Sequence, residues 1–124
     1  MRSQCLAEPC EDADMTSPNK PELPASALPA DAVILDVREP DVWTAGHIET
    51  AVHIPMGQVS ARLSDLPQGD PLYVTCRGGG RSAKVTQFLR AQGIDALNVA
   101  GGMKEWSAAG RPMVSDTGRP PEVI

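Results

Sequence analysis

Aromatic side chains are nearly missing from this chain, with one Tyr, one Phe and two Trp in 124 residues. A core must therefore rest on Val, Ile, Leu and Ala. Trp43, Tyr73, Phe88 and Trp106 read as packing groups before they read as a ligand platform. Histidine and cysteine are also scarce, at two and three. The spacing Cys5-x4-Cys10, followed only by Cys76, fits no zinc pattern, so no metal is expected. Three cysteines cannot all pair within one chain. Basic residues are outnumbered, 11 against 16, for a net charge of −5. That balance disfavours an extended nucleic-acid or anionic-membrane surface. No apolar run approaches the ~20 residues of a membrane span. The opening MRSQCLAEPC lacks the apolar core of a secretory signal. These absences point to the cytoplasm, a reducing setting in which free thiols persist.

The length suits one domain, and hydrophobic residues make up 41% of the chain. Residues 1–20 show no apolar period and read as a flexible tail, with the start open between Met1 and Met15. Residues 21–31 read as a turn-rich lead-in, so the domain is placed at 21–114. After Pro112 the chain turns polar and Pro-rich, and 115–124 reads as a loose C-terminal tail.

Between these ends, strand and helix patterns alternate. Ala32–Val37 is a continuous apolar run, as in a buried parallel strand. Glu39–Ala45 reads as a short helix ended by Gly46. Ala51–Ile54 reads as a strand, Gly57–Leu66 as a helix on Val59, Leu63 and Leu66, and Leu72–Thr75 as a strand. Ser82–Gln92, Ala96–Val99 and Met103–Ala109 read as helix, strand and helix. Such alternation implies an α/β fold, a mainly parallel central sheet flanked by helices in three layers. In these sheets ligands sit beyond the carboxyl ends of the strands. Asp36, Arg38 and Cys76 all fall there and should share one rim.

The segment LYVTCRGGGRSAKVTQFLRAQ, residues 72–92, carries most of the chemistry. A strand ends at Cys76. Gly78, Gly79 and Gly80 follow between Arg77 and Arg81, and a helical pattern begins near Ser82. Glycines let successive N–H groups curl inward as a nest. A helix start adds free N–H groups and partial positive charge, and the arginines add full charges. Each favours a thiolate, the reactive form of cysteine.

Four separate motifs resemble the rhodanese family of sulfurtransferases, over roughly residues 20–114. Asp36-Val37-Arg38-Glu39 looks like its D-x-R-E segment. Gly46-His47-Ile48 with Ala51-Val52-His53-Ile54-Pro55 looks like G-H-I-x-x-A-x-x-I-P. Cys76-Arg77-Gly78-Gly79-Gly80-Arg81-Ser82 resembles the active loop, and Gly101-Gly102 with Trp106, Gly110 and Pro112 the closing G-G-x-x-x-W-x-x-x-G-x-P. The resemblance implies a Cys76 persulfide, a small anionic sulfur donor such as thiosulfate, and a thiol or cyanide acceptor, a protein thiol among the candidates. It implies no cofactor. The loop count, C-x4-R, is one residue shorter than the C-x5-R cradle of cysteine phosphatases. That weighs against a phosphatase or arsenate reductase. A sulfur carrier that serves one partner protein without turnover stays open.

Each residue also has a plainer reading. Cys76 could be apolar filler, but its glycine and arginine neighbours favour a nucleophile. Arg81, which closes the loop, is the better candidate than Arg77 for binding the donor anion. Ser82 reads first as a helix N-cap. Asp36, Arg38 and Glu39 read as an ion-pair cluster supporting the rim. His47 and His53 read as backbone-bonding members of the fold signature. Cys5 and Cys10 read as incidental tail residues, with a thiol relay to Cys76 as the alternative.

Overall fold

The computed structural model describes residues 21–124. The readings of the first 20 residues, including Cys5, Cys10 and Met15, lie outside them. Five strands form one parallel sheet: β1 (Glu22–Pro24), β2 (Val33–Asp36), β3 (Val52–His53), β4 (Leu72–Thr75) and β5 (Ala96–Ala100). Their order is β1-β5-β4-β2-β3. Helices α1 (Pro40–Ala45), α2 (Gly80–Ala91) and α3 (Gly102–Ala108) cover it.

Period-two alternation splits the strands between two cores. Leu35, Leu72, Val74 and Ala96 face α2, where they meet Val85 and Leu89. Ile34, Tyr73 and Val99 face α3 and meet Met103 and Trp106. β4 is central and all four of its residues are buried, which is why its sequence is apolar on both faces. Asp36 lies opposite Thr75, so β2 and β4 end side by side. The rim shared by Asp36, Arg38 and Cys76 follows from that register.

Three expectations about local structure need correction. The lead-in at 21–31 contains β1, an edge strand, where Pro24 is tolerated because one side of the strand needs no partner. The helix expected over Gly57–Leu66 is replaced by 3-10 turns at Met56–Gln58 and Leu63–Asp65. With Gly57 in the first turn and Pro67 closing the segment, tight i+3 bonds suffice to bring Val59, Leu63 and Leu66 onto the core. The C-terminal segment is held in place where a loose tail was expected. His47 and Val114 exchange both backbone bonds at 2.8 Å. Asp116 N–H donates to Thr44 O and Glu122 N–H to Ala45 O. Val123 packs against the α3-side core. A Cβ on Gly46 would collide with the Glu122 backbone, so this crossing requires glycine.

Candidate active site

β4 delivers Cys76 to the rim, and the chain then turns back toward α2 within four residues. Gly79 makes the turn with φ +98°, a conformation that side chains disfavour, and serves as the α2 N-cap. The helix therefore starts at Gly80, two residues earlier than expected. Ser82 sits inside its first turn and is not the N-cap, which corrects that reading. The new position gives Ser82 a different task.

Cys76 is buried, and its sulfur is surrounded by donors. Gly79 N–H donates to Sγ at 3.1 Å and Ser82 N–H at 3.4 Å, while Ser82 Oγ lies 3.3 Å away. Burial pushes the thiol up. The Ser82 hydroxyl and the backbone N–H groups of Ser82, Gly79 and Gly78 outweigh it, leaving the thiol below its ordinary value. The rate of iodoacetamide alkylation should therefore rise with pH about a midpoint below that of a free thiol. Ser82→Ala should move that midpoint upward, since the hydroxyl is the strongest of the groups that oppose burial. A midpoint at or above the free-thiol value in the wild-type protein would contradict this electrostatic account.

Asn98, on β5, is a site residue that sequence reasoning missed. Ser82 Oγ donates to Asn98 Oδ1 at 2.6 Å, and Asn98 Nδ2 donates to Gly79 O at 3.1 Å. One amide thus ties both ends of the sulfur cradle to the neighbouring strand. The only sequence signal was a polar residue in the apolar run ALNVA. The Ser82 hydroxyl has a single hydrogen, so Asn98 and an ionised Cys76 compete for it.

α3 clamps the loop from below. Met103 N–H donates to Cys76 O at 2.8 Å and Lys104 N–H to Arg77 O at 2.9 Å. Gly101 and Gly102 have φ +80° and +57°. A Cβ on Gly102 would fall on Cys76 O and lie 2.7 Å from Arg77 O. The Gly-Gly pair is thus what allows the helix start to approach the loop.

Above Cys76 opens a cavity of about 380 Å³ lined by Arg38, Val42, Cys76, Arg77, Gly78, Gly80, Arg81 and Ile124. Arg77 and Arg81 are exposed at its edge. Arg38 is buried. Its Nε and Nη2 donate to the Asp36 carboxylate at 2.7–3.0 Å, and Nη2 also donates to Gly46 O. Its Nη1 has no partner among the described residues. Asp36→Ala should destabilise the fold by about 3–5 kcal/mol, because it strands a buried guanidinium. A urea midpoint equal to wild type would contradict that cost. Glu39 stands apart from this pair, exposed at the start of α1.

The histidines serve the frame. His47 Nδ1 bonds Trp43 O and His53 Nε2 bonds Arg38 O, both at 2.8 Å. Trp43 stacks on both imidazoles, with ring centroids 3.7 and 4.8 Å away.

A cysteine at the carboxyl edge of a parallel sheet, cradled by a glycine loop and a helix start, has the setting that favours a thiolate. The chain belongs to the rhodanese-like domain family, whose model matches residues 22–109. It is 33% identical to a protein of Allochromatium vinosum named as a sulfurtransferase, over 71% of this chain and 83% of that one. It is 39% identical to YrkF of Bacillus subtilis, a protein whose name proposes a sulfur-carrier role. There the match covers 60% of this chain and only 40% of the relative's length. Among solved structures it resembles a rhodanese-related protein from Thermoplasma volcanium. That match has a TM-score of 0.63 and 32% identity, and covers 67% of this chain and 83% of that one. These relatives place the chain in a sulfur-transfer family. Among the described residues, no helix is long and apolar enough to cross a membrane.

Proposed function

We propose that the protein is a sulfurtransferase that carries a sulfane sulfur on Cys76. The observation that carries this reading is the sulfur's setting. Sγ receives the Gly79 and Ser82 N–H groups at the base of a cavity edged by three arginines. In the first half-reaction, the Cys76 thiolate attacks the outer sulfur of thiosulfate. The bond between that sulfur and the sulfonate breaks, its electron pair leaves with sulfite, and Cys76 becomes a persulfide. Arg77 and Arg81 draw the dianion in. The loop N–H groups face the charge that develops on sulfur, where such donors act without reorganising. In the second half-reaction, cyanide or a thiolate attacks the outer sulfur, and the Cys76 thiolate departs. A general base is unnecessary when the nucleophile is already ionised. His47 and His53 are accordingly assigned no proton transfer.

Thiosulfate and cyanide turnover, read as thiocyanate, tests the reading. The expected result is thiocyanate formation with no phosphate release from an aryl phosphate. Lengthening the loop by one glycine between Gly79 and Gly80 should cost about 10²-fold in thiocyanate formation. The insertion pulls N–H donors away from the outer sulfur, and one misplaced donor is worth about 3 kcal/mol. Robust wild-type phosphatase activity would overturn the sulfurtransferase reading.

A further inference from the structure

Asn98 meets the sulfur through Ser82, and its amide cannot turn over. Its backbone is fixed in β5 between Val74 and Glu22, with its N–H on Pro21 O at 2.8 Å. Gly79 O only accepts, so the amide nitrogen must face it and the amide oxygen must face Ser82. The Ser82 hydroxyl therefore donates to Asn98 Oδ1 at 2.6 Å, while Sγ lies 3.3 Å from the same Oγ. Its one hydrogen has two acceptors in reach, and all three side chains are buried.

Which acceptor wins depends on the charge of the sulfur. A neutral thiol is a weak acceptor, so the amide oxygen keeps the hydrogen. A thiolate is a charged acceptor, and hydrogen bonds to charged groups are about twice as strong as neutral ones. Burial sharpens the contrast, because no high dielectric damps it. The hydrogen stays on Oγ throughout, and only its acceptor changes.

We propose that Asn98 is a positioning residue for sulfur transfer, holding the Ser82 hydrogen while Sγ is neutral and yielding it when Sγ carries charge. The proposal deepens the sulfurtransferase reading of Cys76 and rests on it. As Sγ bonds the outer sulfur of thiosulfate, the bond to the sulfonate breaks and sulfite takes its electron pair. Charge leaves Sγ, and the hydrogen swings to Asn98. When the acceptor attacks, the bond from Sγ to the outer sulfur breaks, its electron pair returns to Sγ, and the hydrogen swings back. A hydroxyl fixed on Sγ would favour the departing thiolate and weaken the attacking one, since a less basic thiolate leaves faster and attacks more slowly. The charged residues packed around the network are Glu22 on β1, Arg38 beyond β2, Arg77 and Arg81 at the loop, and Lys104 and Glu105 on α3. They are common to all the variants below, so differences between variants report the network.

The test follows iodoacetamide alkylation against pH in wild type, Asn98→Leu, Ser82→Ala and the double variant, beside a thermal melt. Asn98→Leu frees the Ser82 hydrogen for Sγ. Its midpoint should fall by about 0.5–1 in pH, the difference between a charged and a neutral hydrogen bond. Persulfide formation from thiosulfate, followed in a single turnover above both midpoints, should slow about two- to threefold. In the Ser82→Ala background the same substitution should leave the midpoint unmoved. Asn98→Ala adds no bulk, carries the same expectations and stands in if leucine disturbs the fold. A midpoint unchanged or raised in a folded Asn98 variant, or lowered equally with and without Ser82, would overturn the inference. Alkylation needs no sulfur donor, so that result leaves the sulfurtransferase reading standing. The expected midpoints without persulfide formation in the wild type would overturn that reading and, with it, the role of Asn98 in transfer.

Discussion

Cys76→Ser should fold like the wild type and lose thiocyanate formation by more than ~10³-fold, the scale of losing a covalent nucleophile. Folding should survive because serine is close in size to cysteine. The Gly79 and Ser82 N–H groups that point at Sγ can equally bond a hydroxyl oxygen. Activity should not survive, because a hydroxyl is not ionised by this cradle at neutral pH and cannot form a persulfide. Initial rates beside a thermal melt check both halves. A Cys76→Ser protein that turns over thiosulfate at the wild-type rate would contradict the assignment outright.

Gly102→Ala should be nearly as damaging to activity, although Gly102 donates nothing to the sulfur. Its added Cβ would fall on Cys76 O, a backbone atom that cannot rotate away. Relief requires α3 to retreat, which breaks the bonds from Met103 N–H and Lys104 N–H to the loop carbonyls. Two lost hydrogen bonds and an alanine held at positive φ should together cost roughly 3 kcal/mol of stability. A loop displaced by about 1 Å should cost on the order of 10²-fold in turnover. Gly78→Ala is the control for stability, since a Cβ there meets nothing within 4 Å. Equal melting temperatures for Gly102→Ala and the wild type would refute the clamp.

Much of this was legible in the sequence because the signals were local. The run LYVT reads as a buried strand in its own right, and β4 occupies those residues. The cysteine, glycine and helix pattern after it is likewise continuous in sequence. The paired ends of β2 and β4 followed from strand logic, since both are parallel neighbours. What was illegible depends on partners distant in the chain. β1 hid among prolines because an edge strand needs only half its bonds, and those run to β5. The C-terminal segment reads as polar and loose, yet its backbone bonds run to residues 44–47, some seventy positions earlier. Asn98 reaches Ser82 and Gly79 only because β5 pairs with β4. Ser82 looked like an N-cap because serine usually is one there, and the positive φ of Gly79 moved the helix start.

A sulfurtransferase of this kind holds the transferred sulfur on Cys76. Intact-mass measurement after thiosulfate treatment, followed by peptide mapping, tests this. The expected result is a gain of ~32 Da, one covalently held sulfur atom, on the peptide containing Cys76 and nowhere else. No mass gain, or a gain that maps to Cys5 or Cys10 and persists in Cys76→Ser, would contradict it.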